Sequence, residues 1–440
     1  MLTVQRRRLT FAEESFIQVP TMETVAVACS VRGALDTALL KQAYHLLRKE
    51  FPIVGARVEQ EDDGYVFVAN ESDEASFIRF EAQKGPWRFE DVLSPNFDLK
   101  ETVSMVNVSS DGEQHRVTFF VNHAVVDGQH SIFLLNRLWS LYTELATSGS
   151  VAPRTPQRLP SAPFELMEKK YGYVAGKTPY AERFAQIRWS GSMPCAEELT
   201  GSESFVTNRL RLDQETTARL SQAGRRLGIS MHGLVSGAIA VAERGNFTNL
   251  PEEEPLWLGL LTPIDFKDKL NPPLKIYEVT TLVGFSAVAV EVDTRSDIVT
   301  IGKRVIAQIK DDLADGTVQL TSVSPFPDLA SRGYEPPVLI SNLGVIPDFP
   351  LPAKLFHEDF RAYIHKDFSG LPTFISSFDQ GATIPVLEAS IYALSTFNGQ
   401  LSIEVRNIPG TIKDADQKKI LARIGELLVN CGSEQTRQEG

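Results

Sequence analysis

The stretch from residue 117 to residue 145 constrains the fold most, because its pattern changes from strand-like to helix-like within a few residues. Residues 117–121 are β-branched and aromatic, which predicts a short buried strand. The apolar residues that follow recur at three- and four-residue spacing, which predicts a helix with one apolar stripe: Ile132, Leu135, Leu138, Tyr142 and Leu145. Between strand and helix lie polar residues and a glycine that fit neither pattern: Asn122, His123, Asp127 and Gly128.

The polar residues at this strand end indicate a candidate active site. Unpaired burial of a polar group costs a few kcal/mol, and a strand end holds a reactive group rigidly while leaving it reachable. We interpret His123 as a general base facing a cavity, although a lone histidine beside an apolar strand is also commonly structural. Asp127 is too short to act as a relay to the imidazole and is expected to pair with a cation. Gly128 is expected to allow a backbone angle that a side chain would forbid, so that the helix starts at once.

The cation that pairs with Asp127 has two candidates. Arg57, on an early predicted strand, is the first choice, and Lys267 is its competitor. His130 falls in the first turn of the predicted helix, where a surface or capping role is favoured over a position facing the cavity.

Several other elements are predicted from local signals. Asp36 is expected to cap a helix, and the Asp111-Gly112 and Asn398-Gly399 pairs predict two hairpin turns. The first of these hairpins, residues 103–108 with 117–121, would deliver His123. Further helices are predicted at residues 213–227, 296–313 and 414–429. Another is predicted at residues 230–242, where small residues on every face indicate a closely packed, buried helix.

Residues 122–128 resemble the His-His-x-x-x-Asp-Gly motif of the chloramphenicol-acetyltransferase-like superfamily. That superfamily includes nonribosomal peptide condensation domains, wax ester synthases and BAHD acyltransferases. The chain is most similar to the polyketide-associated acyltransferases of the phthiocerol/phthiodiolone dimycocerosyl transferase type, over most of its length. Further stretches that carry the resemblance are residues 52–58, 227–235, 263–273, 311–316 and 338–344.

The chain departs from the family pattern at two positions. Asn122 replaces the first histidine of the pair, and Lys267 stands where arginine is usual. In the family the second histidine is the base, and that position is His123 here. The Ser341-Asn342 segment resembles the family's Ser-Asn-x-Gly segment, so Ser341 and Asn342, together with Asn122, are candidates for binding substrate or lining a tunnel. Ser341 and Asn342 are equally compatible with a structural strand end.

Two halves that each mix strands, helices and antiparallel hairpins predict an α+β protein. The resemblance implies two similar α/β-sandwich domains arranged as a V, with the active site between them. Residues 1–148 would form the N-terminal acyltransferase domain with the His-x-x-x-Asp-Gly motif. Residues 149–200, which begin with a proline-rich stretch, would form a linker and bridge, and residues 201–440 the C-terminal domain.

Composition excludes several other classes of function. The net charge of −12 argues against nonspecific binding of nucleic acid. The chain contains no serine-hydrolase elbow, phosphate-binding Walker loop or dinucleotide-binding glycine pattern. Neither the cysteines nor the histidines have the spacing of metal ligands, so no metal is expected: Cys29, Cys195, Cys431, His232 and His365. The cysteines predict free thiols in a reducing cytoplasm, and no signal peptide or membrane span is expected.

The resemblance implies transfer of an acyl group from a thioester to an alcohol, with no covalent acyl-enzyme and no permanently bound cofactor. The thioester would be on coenzyme A or on the phosphopantetheine of an acyl-carrier protein. A carrier protein or polyketide synthase and a hydroxylated small molecule or lipid are the expected partners of a monomer. An amine acceptor and a non-catalytic carrier-binding homologue are the alternatives. The intact His123 favours an enzyme, whereas Asn122 favours the non-catalytic alternative.

An acidic carrier protein could dock on a basic cluster of the chain, although such clusters are more commonly solvated surface charges. Three basic clusters are present, at residues 6–8, 169–170 and 225–226, and the sequence does not choose between them.

Overall fold

The computed structural model describes residues 5–17, 23–69, 77–82, 98–152, 154–162, 165–167, 180–191, 206–247, 249–322, 335–366, 390–407 and 410–433. The chain divides into two compact units whose segments alternate along the sequence. The first unit comprises residues 1–173, 265–283 and 347–368, and the second comprises residues 174–264, 284–346 and 369–440. The predicted domains were contiguous, at 1–148 and 201–440, so their boundaries differ from those of the compact units.

The first unit contains two sheets. Its elements are β1 (Arg6–Arg8), α1 (Phe11–Glu14), β2 (Glu23–Gly33), α2 (Thr37–Glu50), β3 (Arg57–Glu61), β4 (Gly64–Val68), β5 (Ile78–Ala82), β6 (Ser104–Ser110), β7 (Gln114–Asn122) and α3 (Gly128–Ser148), with a short 3-10 turn at Lys267–Lys269. Strands β1, β4 and β3 form a small sheet in the order β1-β4-β3. A five-stranded sheet has the order β12-β2-β7-β6-β5, in which β12 is Leu355–Lys366.

The five-stranded sheet positions His123. Strands β6 and β7 pair antiparallel across the turn at Asp111 and Gly112, where Gly112 has a φ of 103°. This confirms the predicted hairpin. Strand β7 is buried along almost its whole length, because β2 and β6 flank it. The strand therefore holds its C-terminal end, Asn122, in a fixed place at the sheet margin.

Helices α2 and α3 pack against each other in the same unit. Asp36 caps α2 as predicted, since its carboxylate accepts hydrogen bonds from the backbone N–H of Ala38 and Leu39 at 2.9 and 3.1 Å. Helix α3 buries the predicted apolar stripe and ends at Gly149, which adopts a left-handed conformation with φ 71°.

The proline-rich stretch after α3 contains no helix or strand in residues 154–162, and it is tied to the first unit. The backbone N–H of Gln157 donates to the carbonyl of Glu50 at 2.8 Å. The N–H of Leu159 donates to the side-chain oxygen of Gln5, also at 2.8 Å. Pro153 and Pro163 lie outside the described residues.

The second unit has one six-stranded sheet in the order β10-β9-β11-β13-β14-β8. Its elements are α4 (Tyr180–Arg183), β8 (Val206–Arg211), α5 (Gln214–Leu227), α6 (Met231–Arg244), β9 (Leu256–Asp265), β10 (Val283–Val292), α7 (Ile298–Ala314), α8 (Thr317–Thr321), β11 (Val338–Val345), β13 (Ser390–Phe397), β14 (Gln400–Asn407) and α9 (Asp414–Ser433). Helix α6 is buried on nearly every side, as its small residues predicted.

The helices predicted in this half are all present with shifts of a few residues at their ends. The Asn398-Gly399 turn also joins β13 to β14 as expected, with φ angles of 49° and 71° at the two residues. None of the helices in the described ranges combines the length and apolar character that crossing a bilayer requires.

Candidate active site

His123 lies immediately after β7, and its backbone is fixed by the neighbouring strand. The N–H of His123 donates to the carbonyl of Glu23, the first residue of β2, at 2.8 Å. The residue is 9% exposed, and its ring stacks on that of Phe16 with centroids 4.4 Å apart and planes inclined by 11°. The Nδ1 atom is buried and has no hydrogen-bond partner among the described residues. Nε2 is therefore the ring nitrogen that we expect to exchange a proton with substrate.

Asn122 holds the turn that carries His123. It is fully buried, and its Nδ2 donates to the carbonyls of Phe16 and Glu23 at 3.2 and 3.1 Å. Its Oδ1 accepts from the N–H of Ala124 at 3.0 Å. The side chain thus satisfies three backbone groups, which gives it a scaffolding role. Asn122 was predicted to bind substrate or line a tunnel, but its amide is fully engaged with the backbone.

Asp127 caps α3 and turns away from the imidazole. Its Oδ1 accepts from the backbone N–H of His130 at 3.0 Å. Its Oδ2 accepts from the Lys267 ammonium and, at 3.4 Å, from the N–H of Leu282. Asp127 is 1% exposed and Lys267 is 5% exposed, so this is a buried ion pair. Burial opposes ionisation, but the Lys267 ammonium and the bonds from His130 outweigh it and hold the pKa of Asp127 well below its usual range.

The prediction that Arg57 pairs with Asp127 is wrong. The Arg57 guanidinium bonds to Glu59 on its own strand, with Nε to Oε1 at 3.0 Å. Lys267 takes the role instead, because the segment 265–283 belongs to the first unit and brings its ammonium to the turn. Lys267 also lies 3.1 Å from the Oδ2 of Asp265.

His130 is buried and does not occupy the surface or simple capping position that the sequence favoured. It is 0% exposed, and its Nδ1 lies 2.7 Å from the carbonyl oxygen of Thr280 and 3.6 Å from the Oδ1 of Asp127. The ring therefore links the start of α3 to the segment that supplies Lys267 and the N–H of Leu282. The reason for the miss is that this segment lies 150 positions further along the chain.

Gly128 has no unusual backbone angle, which corrects the expected reason for the glycine. It is the first residue of α3 and is not among the residues with positive φ. Asp127 makes the change of direction itself, with φ −98° and ψ −177°, and the helix then starts with ordinary angles.

Ser341 and Asn342 lie on β11, in the second unit. The Oδ1 of Asn342 accepts from the N–H of Gly344 at 2.9 Å and so supports a local turn, at which Gly344 has φ 74°. Contact of either residue with substrate stays a prediction. In the same unit, His232 is bonded to Thr262 at 3.3 Å, and burial lowers the pKa of its imidazole to about 4.

Phe16 and the segment 280–282 are parts of the site that sequence reasoning missed. Phe16 follows α1, in a part of the chain where the sequence predicts no site residue. Its aromatic side chain gives no signal of its own, because nothing in the local pattern places it against a residue 107 positions later. Within the described residues, no group of three or more histidine, cysteine, aspartate or glutamate side chains is arranged to hold a metal ion.

Comparison with known proteins agrees with the predicted resemblance. Residues 201–406 match the family model described as phthiocerol/phthiodiolone dimycocerosyl transferase C-terminus. The phthiocerol/phthiodiolone dimycocerosyl transferase of Mycobacterium tuberculosis is 25% identical, and the match covers 97% of each chain. That of Mycobacterium ulcerans is 25% identical over 82% of this chain and 86% of the relative.

Solved structures with the same fold include polyketide synthase associated protein 5 from Mycobacterium tuberculosis, with a TM-score of 0.73, 22% identity and 97% of each chain covered. The trichothecene 15-O-acetyltransferase of Fusarium sporotrichioides has a TM-score of 0.66 at 12% identity, covering 97% of this chain and 95% of that chain. The first condensation domain of the CDA synthetase has a TM-score of 0.63 at 14% identity, covering 97% of each chain. These likenesses confirm the predicted α+β, chloramphenicol-acetyltransferase-like fold.

Proposed function

Because this chain is a relative of the phthiocerol/phthiodiolone dimycocerosyl transferases, we propose that it is an acyltransferase that forms an ester from a thioester and an alcohol. The names of these relatives describe acyl transfer, and one solved structure of the same fold is an O-acetyltransferase. We infer the mechanism from the position and contacts of His123. Its backbone is fixed at the end of β7, and its buried Nδ1 makes no hydrogen bond to the described residues, so the proton exchange proposed here is assigned to Nε2.

In the proposed reaction His123 acts as the general base. Nε2 takes the proton of the acceptor hydroxyl as the oxygen attacks the thioester carbonyl carbon, which gives a tetrahedral intermediate. The carbon–sulfur bond then breaks, and the imidazolium returns the proton to the leaving thiolate. The products are an ester and a free thiol, and His123 is neutral again. Histidine suits this work because its imidazole ordinarily titrates near physiological pH.

The charged residues of the turn hold His123 without taking part in the proton transfer. Asp127 is occupied by Lys267, by Leu282 and by His130, and it has no bond to the imidazole. We propose that this pair fixes the start of α3 and with it the residues between His123 and Asp127. A base held in one orientation contributes more than a mobile one, since productive geometry is narrow.

Asn122 was the one feature that favoured a non-catalytic homologue, and its contacts weaken that reading. A side chain that satisfies three backbone groups supports the turn and leaves the base intact. An amine acceptor remains the alternative within the same chemistry, because His123 would take a proton from an attacking nitrogen in the same way. The assay below separates the two through the mass of the product.

For the donor, we propose an acyl thioester on a carrier protein of a polyketide synthase, with acyl coenzyme A as the competing donor. One relative in structure is itself described as polyketide synthase associated. No permanently bound cofactor is part of the proposal. The proposed acceptor is a hydroxylated small molecule or lipid, and the proposed compartment is the cytoplasm.

We propose that the carrier docks on a basic surface of the second unit, defined by Arg225, Arg226, Lys303 and Lys310. All four residues are exposed. The two arginines end α5, and the two lysines lie seven residues apart, hence on one face of α7. The ends of the two helices are adjacent, because a Cβ on Gly302 would lie 2.7 Å from the side chain of Ile229, just after α5.

The charges of the basic cluster at residues 6–8 are compensated within the first unit. Arg6, Arg7 and Arg8 are each bonded to a carboxylate of their own unit: Arg6 to Glu59 and Glu61, Arg7 to Glu13, and Arg8 to Asp63. Lys169 and Lys170 lie outside the described residues. The chain has a net charge of −12, so an exposed basic surface on it is a specific attraction for an acidic carrier.

Incubation of the protein with an acyl thioester and an alcohol tests the proposal, with free thiol and product mass followed together. We expect thiol release that depends on the acceptor and a product with the mass of the ester. His123→Ala should lower turnover by about 10²- to 10⁴-fold while the Tm and thioester affinity stay close to those of the unmodified chain.

The matched control is His115→Gln, on the same strand. His115 is also buried, but it lies eight residues earlier, roughly 26 Å away along the strand. It should keep near-normal turnover. Normal turnover in His123→Ala would show that His123 is not the base, and a product with the mass of an amide would favour the amine-accepting alternative.

A further inference from the structure

Phe16 covers one face of the imidazole of His123. The two rings are nearly parallel, inclined by 11°, and their centroids are 4.4 Å apart. This is a face-to-face contact in which the imidazole lies over the π system of the phenyl ring. A cation at such a distance from an aromatic face is attracted by the ring quadrupole.

The backbone of Phe16 is fixed to the same turn that carries His123. Its carbonyl accepts from the Nδ2 of Asn122 at 3.2 Å and from the N–H of Glu23 at 3.1 Å. Its N–H donates to the carbonyl of Glu13 at 3.1 Å. The main chain of Phe16 therefore cannot move away from His123 without breaking bonds to both β2 and the residue that precedes the base.

The short helix before Phe16 is fixed by a buried carboxylate. Glu13 is fully buried, pairs with Arg7 at 2.6 Å, and completes a capping box with Thr10 at the start of α1. The neighbouring Glu14 accepts from the N–H of Tyr65 at 3.3 Å. These bonds explain how a segment so close to the N-terminus places a side chain at the site.

The charged groups around His123 leave the protonated ring without an ionic partner in the described part of the chain. Asp127 is bound to Lys267, and Glu13 to Arg7. Glu23 of β2 contacts His123 through its backbone carbonyl. His130 is turned to the carbonyl of Thr280. A serine-protease triad stabilises its imidazolium with a carboxylate, whereas here the neighbour with suitable electrostatics is an aromatic face.

We propose that Phe16 is a positioning residue for the base, and that its π face stabilises the imidazolium formed when His123 takes the acceptor proton. The proposal rests on the proposed function, since it concerns the same proton transfer. Phe16 also fixes the plane of the imidazole, and thus the direction in which Nε2 points. It acts through His123 and forms no bond to substrate or leaving group.

The sign of the effect follows from which form of the ring the aromatic face favours. Phe16 favours the protonated ring, so its removal should make His123 easier to deprotonate and move its titration midpoint to lower pH. A cation–π contact of ordinary strength predicts a movement of about 0.5 to 1.5 pH units. The acid limb of the kcat/KM profile should move by the same amount. Turnover on the plateau should fall by about 2- to 30-fold with little change in KM, because the stabilised cation exists only as the reaction proceeds.

The experiment compares Phe16→Leu with Phe16→Tyr, which keeps the aromatic face. The control is Phe11→Leu, which removes a phenylalanine of the same segment that is 64% exposed. An NMR titration of the His123 imidazole, assigned by its loss in His123→Ala, gives the midpoint without any need for activity. We expect a lower midpoint and reduced kcat in Phe16→Leu, and values near those of the unmodified chain in Phe16→Tyr and Phe11→Leu.

An unchanged midpoint in Phe16→Leu overturns the proposal, as does a Phe16→Tyr variant that behaves like Phe16→Leu. A fall in Tm alone would show a purely structural role and would also overturn it. The expected NMR result in a protein that does not transfer acyl groups would instead refute the proposed function and leave the contact between Phe16 and the imidazolium established.

Discussion

Removal of the charge on Asp127 tests whether the buried pair with Lys267 holds the site together. Asp127→Asn keeps the size of the side chain and an oxygen that can still accept from the N–H of His130, so α3 keeps its cap. What it removes is the negative charge beside Lys267, which is 5% exposed. The variant therefore isolates the ion pair from the cap.

The expected loss of stability is about 3 kcal/mol, the lower end of the range for stranding one partner of a buried pair. The lower end applies because Asp265 remains 3.1 Å from the ammonium, although its side chain is 37% exposed and solvent screens it. For a unit of about 200 residues, this corresponds to a fall in Tm of about 6 to 12 °C. Activity should fall with stability, because the same turn carries His123.

The pH dependence of the stability difference gives an independent check. The pKa of Asp127 is depressed in the folded chain, so its contribution is full above the ordinary value of a carboxyl group and is lost as pH falls. The difference in Tm between the unmodified chain and Asp127→Asn should thus be constant from about pH 5 to 8 and shrink below about pH 4.

The matched control for this measurement is Asp268→Asn. Asp268 is a nearby aspartate, also paired with a lysine, but its side chain is 69% exposed, so its loss should change Tm very little. Calorimetry and turnover measured on the same samples decide the matter. An Asp127→Asn variant with full stability and lost activity would refute our reasoning and show that Asp127 acts in the chemistry directly.

Two further predictions concern the second unit. The double variant Arg225→Glu, Arg226→Glu should raise KM for a carrier-bound donor by at least about tenfold and leave turnover with acyl coenzyme A unchanged. The control is the double variant Lys418→Glu, Lys419→Glu, which makes the same charge change on α9. Equal effects on both donors would refute carrier docking at Arg225 and Arg226. Burial raises the pKa of Glu243 to about 7, so the folded protein is stabilised at low pH and loses that stability as pH rises from about 4.5 to 7. Glu243→Gln should remove this pH dependence from the thermal melts. An unchanged pH dependence would assign it to other groups.

Local patterns predicted the elements of the fold well. The hairpin that ends at Asn122, the Asp36 cap and the Asn398-Gly399 turn depend on residues close together in sequence, and each is present. Strand β12 was not predicted, although it pairs with β2 over 11 residues. Its apolar residues do not alternate cleanly, and its partner lies more than 300 positions earlier, so the sequence alone gives no local signal for the pairing.

The candidate site, like the fold, was predictable only where it depends on residues close together in sequence. His123, Asp127 and the turn between strand and helix follow from the change of periodicity near residue 122. The partner of Asp127 does not, because Arg57 and Lys267 are both cations at strand ends and the choice depends on where residues 265–283 return to the first unit. Phe16 and His130 were missed for a related reason, since their roles exist only through contacts more than 100 positions away.

Hydrogen bonds fix the backbone of His123, whereas a stacking contact positions its ring. The carbonyl of Glu23 and the side chain of Asn122 hold the main chain on both sides, and Lys267 fixes the start of the next helix through Asp127. The imidazole itself stacks on Phe16, and its Nδ1 makes no hydrogen bond to the described residues. A ring nitrogen that already bonded to protein would be a poorer base, because that bond would have to break before a proton could be accepted. A carboxylate partner would raise the basicity of the imidazole further, whereas an aromatic face stabilises the imidazolium only modestly. Modest stabilisation suits a base that must release its proton to a thiolate in the next step.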